Sequence, residues 1–528
     1  VDSSKLKTCE VFNNYDLIIR QVEKWIYSKK PQIFGCEEVQ VKARLVQRIT
    51  EMASTEYAQQ SINHVNKFSK PLPYWPKRLV AGGLHICTET GKVSTSLEQW
   101  VRNIILFTAS WSHLFIFLVA ALFKKAPQHS SSATLLMEAG DSYEKSDARL
   151  VRFCRQGPIE PLSSANQIII RTKISPLNPS DPSFHYNSDP LIYLISTFLK
   201  RSIRFTLLLR HLTAPFYYLK ALINFPLNIL ASRDLSIIPA CLFLNKKKMI
   251  EAIFITTSNF SSQPLWMKGL KDQQFKLHMI WYAQNFIPHM FLGEQKPTHL
   301  PHARHMRVDV HWVWTEGFKS YLKQLGQTSE IRVVGPILWY LPEQIEKTNN
   351  TCIKIALFDV TPLPDGKKVY GIVKNYYSVS TMKKFITDTI KVCDEITVAS
   401  GKKVLVILKH KRAPKTGYHD SLYLELLRQT VKNKPYFKLI DPKTNLFGLL
   451  EECDLSISIP YTSTSYVAAS LEKPTIFYDP SAEVIPLYEK SEFVHFASGP
   501  ENLKQLMEKI LNARQSSPLH FGHTEARQ

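Results

Sequence analysis

DLSISIPYTSTSYVAASLEKPTIFYD, residues 454–479, reads as strand, loop, helix and strand in quick succession. DLSISI is a buried-strand run, YVAASLE has helical spacing, and PTIFYD opens on a proline and returns to strand-forming residues. The same alternation fills the chain just upstream. IKIALFDV (353–360) is followed by a helix over 380–400, KKVLVILK (402–409), a helix over 421–433, FKLID (437–441) and a helix around NLFGLLEEC (445–453). Five strands separated by helices predict a doubly wound parallel sheet, in which ligands bind beyond the carboxyl ends of the strands.

A second α/β region precedes it. EAIFITT (251–257), KLHMIWYAQ (276–284), DVHWVWTE (309–316) and IRVVGPI (331–337) read as strands, and FKSYLKQLG (318–326) as a helix ended by Gly326. PEQIEKTNNT (342–351) is a polar joint between the two regions. The expected organisation is therefore a helical N-terminal region over 1–249, a Rossmann-like domain over 250–345, a second over 352–500, and a C-terminal helix and tail over 501–528. Residues 126–148 and 174–190, rich in Ser, Gln and Pro, read as exposed connections. Residues 103–123 carry no formal charge, which leaves a membrane span, a helix lying in the membrane interface and a buried core helix all open. Basic and aromatic residues interleave over 197–233, a pattern that suits an anionic membrane surface as well as the solvated face of a core helix pair.

Composition narrows the function classes. Apolar residues at 44% and charged residues at 21% exclude a disordered, fibrous or polytopic membrane chain. A net charge of +21 favours anionic partners. No nucleic-acid motif occurs and the basic residues are spread over the chain, so nucleic acid is not expected. With only 18 glycines, glycine-rich phosphate loops are scarce and phosphate must be held by other means. The eight cysteines stand singly, without a C-x-x-C pair, and are expected to be reduced. No basic stretch leads into an apolar core and cleavage site, so no signal peptide is expected.

Three strand-end loops carry chemistry. After DLSISI come Pro460 and Tyr461, then four hydroxyl residues, Thr462, Ser463, Thr464 and Ser465, at a helix start. Helix-start amides and the positive dipole end attract an anion, and hydroxyls add donors without glycine. The competing reading is an ordinary helix cap, which one hydroxyl would satisfy. The second loop, KHKRAPK (409–415), crowds Lys409, His410, Lys411, Arg412 and Lys415 at a strand end, where Lys409 or Arg412 can neutralise a diphosphate. The third ends IKIALFDV with Asp359 and Thr361, where a turn role competes with ligand contact.

These residues carry a resemblance. FDVTPL (358–363), LKHKR (408–412) and IPYTSTSYVAASLEKPTIFYDPS (459–481) closely resemble the bacterial polysaccharide biosynthesis proteins named for a PFTS motif, with Tyr461 standing where that motif has Phe. WYAQN (281–285) and VGPILW (334–339) are similar to the same family. The resemblance implies assembly of a surface polysaccharide (O-antigen, lipopolysaccharide or capsule) and a GT-B-like fold, α/β with two facing doubly wound Rossmann-like domains.

The resulting expectation is a glycosyltransferase that uses a nucleotide sugar and a glycan or lipid-linked glycan acceptor. It would be cytoplasmic and peripheral at the inner face of the plasma membrane. Leaving-phosphate charge is expected to be met by protein alone, without metal or cofactor, because no D-x-D motif follows a suitable strand. Thr361, Lys409, Arg412, Tyr461 and Thr462–Ser465 form the expected nucleotide-sugar site. Gln284 and Asn285 are acceptor candidates, and Glu316 and His410 are the candidate bases. The histidines at 299, 302, 305 and 311 with Asp309 lack the spacing of a zinc site. A nucleotide-sugar epimerase and a non-catalytic assembly protein remain the alternatives.

Overall fold

In the computed structural model, the described residues are 8–68, 78–139, 147–172, 176, 179–256, 263–283, 290–293, 304–342, 352–360, 362, 378–410, 420–487 and 491–516. They fall into two compact units. Unit 1 takes the described residues before 283 and over 304–341; unit 2 takes those from 283 to 293 and from 342 onward.

Unit 1 opens with two helices, α1 (Thr8–Tyr27) and α2 (Glu38–Phe68). They pack through Ile18, Ile19, Val22 and Ile26 against Val41, Leu45, Val46 and Ile49, all buried. A small antiparallel sheet (Arg78–Ala81, Leu84–Cys87, Val93–Thr95) leads into the long α3 (Leu97–Phe123). The main sheet comprises β1 (Ala133–Leu136), β2 (Ile168–Arg171), β3 (Phe184–Asn187), β4 (Ile250–Thr256), β5 (Lys276–Ile280), β6 (Val310–Val313) and β7 (Glu330–Val333). Helices α4 (Arg201–His211) and α5 (Ala214–Asn224) lie between β3 and β4, and α6 (Glu316–Gln324) between β6 and β7. Every pairing is parallel, in the order β3-β2-β1-β4-β5-β6-β7.

This corrects the expected organisation of the first half. The sheet begins at Ala133, not near 250, so the region before 249 is not wholly helical. The stretches read as exposed connections contain β1, buried along its whole length between β2 and β4, and the edge strand β3. Four residues, one of them the polar Thr134, between a serine run and a polar segment are too few to show a period.

Unit 2 follows the sequence reading closely. Its strands are β8 (Ile353–Phe358), β9 (Val404–Lys409), β10 (Phe437–Ile440), β11 (Leu455–Ser458), β12 (Thr475–Asp479) and β13 (Val494–Ser498). The intervening helices are α7 (Val379–Ser400), α8 (Ser421–Asn433), α9 (Leu446–Glu452) and α10 (Ser463–Ser470); α11 (Gly499–Ser516) packs back on β13 and α7. The sixth strand, β13, goes beyond the five read from the sequence. All pairings are parallel, in the order β10-β9-β8-β11-β12-β13.

Counted from the first strand of each sheet, both orders begin 3-2-1-4-5-6, the doubly wound arrangement whose direction reverses between strands one and four. The chain therefore carries two sheets of one topology. A short pair, Met290–Phe291 with Val484–Ile485, adds an antiparallel ribbon to unit 2.

Candidate functional site

The strand ends of unit 2 are level. Phe358 pairs with both Lys409 and Ser458, Lys409 with Ile440, and Ser458 with Phe477. The residues that follow, Asp359, His410 and Ile459, thus emerge side by side at the reversal point between β8 and β11, where parallel sheets bind ligands.

Asp359 is buried, and its Oδ2 accepts two hydrogen bonds, from the Tyr423 hydroxyl and from His410 Nδ1, both 2.8 Å. Its other oxygen has no hydrogen-bond partner among the described residues. A carboxylate facing Nδ1 makes that nitrogen the donor and leaves Nε2 as the basic one. Burial, followed by the Asp359 charge, raises the Tyr423 phenol well above its ordinary value, so it stays a donor. His410 is itself 3% exposed. Asp359 is thus neither a turn residue nor an open ligand group; it orients a histidine.

Lys409, one residue earlier, sends its ammonium to the carbonyl of Pro442 at 2.7 Å, and burial lowers its pKa. Its charge lies at the end of β10, tied to backbone. Thr361 and Arg412 lie outside the described residues, as do Gln284 and Asn285.

The hydroxyl loop divides into an inner and an outer part. Tyr461 is buried in left-handed backbone, φ 61°, a conformation that costs a non-glycine residue about 1–2 kcal/mol. Its hydroxyl accepts from Leu487 N at 2.6 Å, pinning the segment after the antiparallel ribbon to the sheet. Its ring packs near Phe477. The aromatic of the motif is therefore a structural plug that turns the chain from β11 into α10.

Ser465 is also buried. Ser456 Oγ donates to Thr475 Oγ1, which donates to Ser465 Oγ, each at 2.7 Å, and Ser465 shares a 2.6 Å bond with Ser458. Ser458 then donates to the carbonyl of Ile459 at 3.3 Å. These contacts use the Ser465 hydroxyl internally, so neither the Tyr461 nor the Ser465 side chain faces the edge as a ligand group.

Thr462, Ser463 and Thr464 are half-exposed. Thr462 occupies the N-cap of α10, yet its hydroxyl donates back to Ile459 O at 2.9 Å and makes no cap bond. The ordinary-cap reading fails there, because the first turn of α10 has no side-chain cap.

Unit 1 has its own reversal point, between β1 and β4. There the Thr256 hydroxyl donates to Glu138 Oε2 at 3.3 Å. Glu138 was missed from the sequence because its strand was read as a connection; the one available signal was an acidic residue directly after an apolar run. Glu316 lies two strands away from β4, exposed in the first turn of α6 and paired with Lys319 at 3.1 Å. Asp309 is held by Lys268 and by Leu277 N, and His311 by Trp281, so neither is placed as a metal ligand. Among the described residues no group of three or more His, Cys, Asp or Glu is arranged to hold a metal ion.

The profile of the polysaccharide biosynthesis PFTS motif protein family matches residues 217–507, more than half of the chain. The chain belongs to that family. The match spans β4–β13 and includes the hydroxyl loop, His410 and Asp359. No curated protein sequence matches the chain.

Similar solved structures include a co-structure of S. aureus MnaA with UDP (11% identity, 73% of this chain and 89% of that one, TM-score 0.38). The wall teichoic acid polymerase TagF is another (12%, 80% and 91%, TM-score 0.37). A third is the pneumococcal O-GlcNAc transferase GtfA with UDP and GlcNAc (12%, 53% and 54%, TM-score 0.31). With TM-scores this low the three say nothing about the chemistry of this chain, and its fold rests on the strand orders above.

Proposed function

We propose that the protein is a glycosyltransferase of bacterial surface polysaccharide assembly that takes a sugar from a nucleotide-activated donor. The acceptor is a glycan or lipid-linked glycan, met at the cytoplasmic face of the plasma membrane. The donor diphosphate sits at the start of α10. The observation that carries this reading is the uncapped first turn of that helix, delivered by Thr462 directly beyond a central strand at the reversal point of the sheet. The positive end of the helix dipole there favours an anion, and Ser463 and Thr464 carry hydroxyls beside it.

His410, oriented by Asp359 and Tyr423, stands at the adjacent strand end as a phosphate contact or proton carrier. Arg412 supplies positive charge that elsewhere comes from a metal ion, the Lys409 ammonium being held at the Pro442 carbonyl by the edge strand. In unit 1, Glu138 at the other reversal point is the carboxylate placed to accept a proton from an acceptor hydroxyl.

The test is calorimetric titration of nucleoside diphosphates and nucleotide sugars into the wild type and a Ser463→Ala/Thr464→Ala variant, with and without chelator. Binding should weaken by about 1–3 kcal/mol in the variant, the scale of hydrogen bonds to charged groups. It should weaken further with Arg412→Ala and be indifferent to chelator. A folded variant with unchanged affinity, or chelator-sensitive binding, would overturn the cradle. Epimerisation of a nucleotide sugar with no acceptor present would replace transfer by the epimerase reading.

A further inference from the structure

Helix α3 is held along one narrow stripe and bares the rest of its surface. Its buried residues are Gln99, Asn103, Phe107, Leu114, Leu118 and Ala121, whose spacing traces a single face. On other faces Leu97 (79% exposed), Val101, Ile104, Ile105, Ile116 and Phe123 (80%) stand open, where a helix on a water-facing surface carries polar groups. The same character continues on α4, with Phe205 and Leu209, and on α5, with Phe216, Leu219 and Ile223 (85%). Both helices pack on α3, α5 through the stacked Phe107 and Tyr218 rings, 3.9 Å apart.

Charge on this surface is almost all of one sign. Apart from the exposed Glu98 in the first turn of α3, neither 97–137 nor 190–233 contains an Asp or Glu, whereas Arg102, Lys124, Lys125, Arg201, Arg210 and Lys220 are exposed there. Apolar area interspersed with six cations and one carboxylate complements an anionic bilayer, with side chains entering the acyl boundary and ammonium groups meeting phosphates. Just beyond Phe117 an open cavity of about 670 Å³ is walled in part by Lys124, Lys125, Tyr193, Ser196 and Thr197, donors that suit a lipid phosphate.

By length and apolarity α3 is able to span a membrane. Its ties to unit 1 argue for a different placement. Gln99 Nε2 donates to Gly82 O at one end, and Ser236 Oγ to Ser110 Oγ at 2.9 Å in the middle. Also mid-helix, Trp111 Nε1 donates to His211 O (3.3 Å), and His211 Nε2 meets Trp111 O (2.9 Å). At the far end the buried Arg204 guanidinium donates to Ala121 O and Ser196 O, both at 2.7 Å. A crossing α3 would draw these partners, guanidinium included, into hydrocarbon. We infer that α3, α4 and α5 form a bed that lies in the headgroup layer of an anionic bilayer, with α3 along the membrane plane. The inference is independent of the transfer reading.

The test uses the full chain with sedimenting vesicles of phosphatidylcholine, alone or mixed with phosphatidylglycerol. Binding to the mixed vesicles should be at least tenfold tighter, and alkaline carbonate should release the protein. Ile116→Asp/Ile223→Asp, at exposed positions, should cut partitioning at least tenfold with unchanged circular dichroism and melting. Should that pair unfold, Lys124→Ala/Lys125→Ala reads the charge requirement, with a severalfold loss expected. Failure to bind mixed vesicles, or full binding by the folded Asp variant, overturns the bed; retention through carbonate overturns the in-plane placement. A wild-type dimer in light scattering that the Asp variant turns into a monomer would assign the surface to a second copy instead.

Discussion

The two sheets begin with the same strand order and end in opposite chemistry. At the reversal point of unit 2 the carboxylate, Asp359, is buried against His410 and Tyr423, and beside it stand the start of α10, two half-exposed hydroxyls and the oriented histidine. At that of unit 1 stands a carboxylate, Glu138, held by Thr256. Elsewhere in unit 1 the polar groups turn inward, as where Trp281 Nε1 donates to His311 Nδ1 and Trp312 Nε1 to His278 Nδ1, each at 3.1 Å between β5 and β6. On the reading proposed above, topology says where a site can be, and the residues just past two strands say which sign of charge it would accept.

The comparison breaks most readily at the carboxylate. Glu138→Gln should lower transfer about 10²–10⁴-fold, the range for removing a general base, while nucleotide affinity in unit 2 stays as it was. A loss of affinity with no loss of turnover would mean that the edges are misassigned.

Asp359→Ala comes next. It strips the acceptor from both Tyr423 and His410 and should cost about 3–5 kcal/mol of stability, read by urea unfolding. Asp359→Asn keeps the shape, so its effect should appear as an altered pH profile of transfer; an unaltered profile in a folded Asn variant would reduce Asp359 to packing.

Acid separates the units by a third route. Burial pushes His278 and His311 down to about 4. Above pH 6.5 both are neutral whether folded or unfolded and cost nothing. As pH falls from about 6.5 toward 4 the unfolded chain takes up protons that the native state refuses, so stability falls, by up to about 3 kcal/mol per histidine. Proton uptake on unfolding at pH 5, measured calorimetrically in two buffers, should approach two from these residues; an uptake near zero would show that the Trp–His pairs open to water.

The smallest effect sharpens the family motif itself. Tyr461→Phe should keep the plug and lose the hydroxyl's bonds from Leu487 N and to Ile485 O, about 1 kcal/mol by thermal unfolding. Tyr461→Ala should be several times worse, as expected for a large buried ring.

Much of unit 2 was legible because its strands are apolar runs separated by periodic helices, each capped locally: Ser378, Asp420 and Asn445 accept from the first turns of α7, α8 and α9. The hydroxyl loop was legible for the same local reason. The Asp359–His410–Tyr423 contact was not, since its members lie 51 and 64 residues apart and no neighbour in sequence says which carboxylate turns inward. Nor was β13, whose residues are mostly half-buried and mix polar with apolar, nor β1, four residues long. Tyr461 and Ser465 looked like their neighbours in sequence and differ from them only through burial.

The run of hydroxyls from Ser456 through Thr475 and Ser465 to Ser458 also constrains how the family can drift. Each proton points to the next oxygen, and the last to a carbonyl, so no member after Ser456 can change without stranding the donor before it inside the sheet. Alanine at Thr475, Ser465 or Ser458 leaves a buried hydroxyl proton without its acceptor, whereas losing all four together leaves none. Across related chains these positions, scattered over two strands and a helix, should therefore be inherited or abandoned as a block.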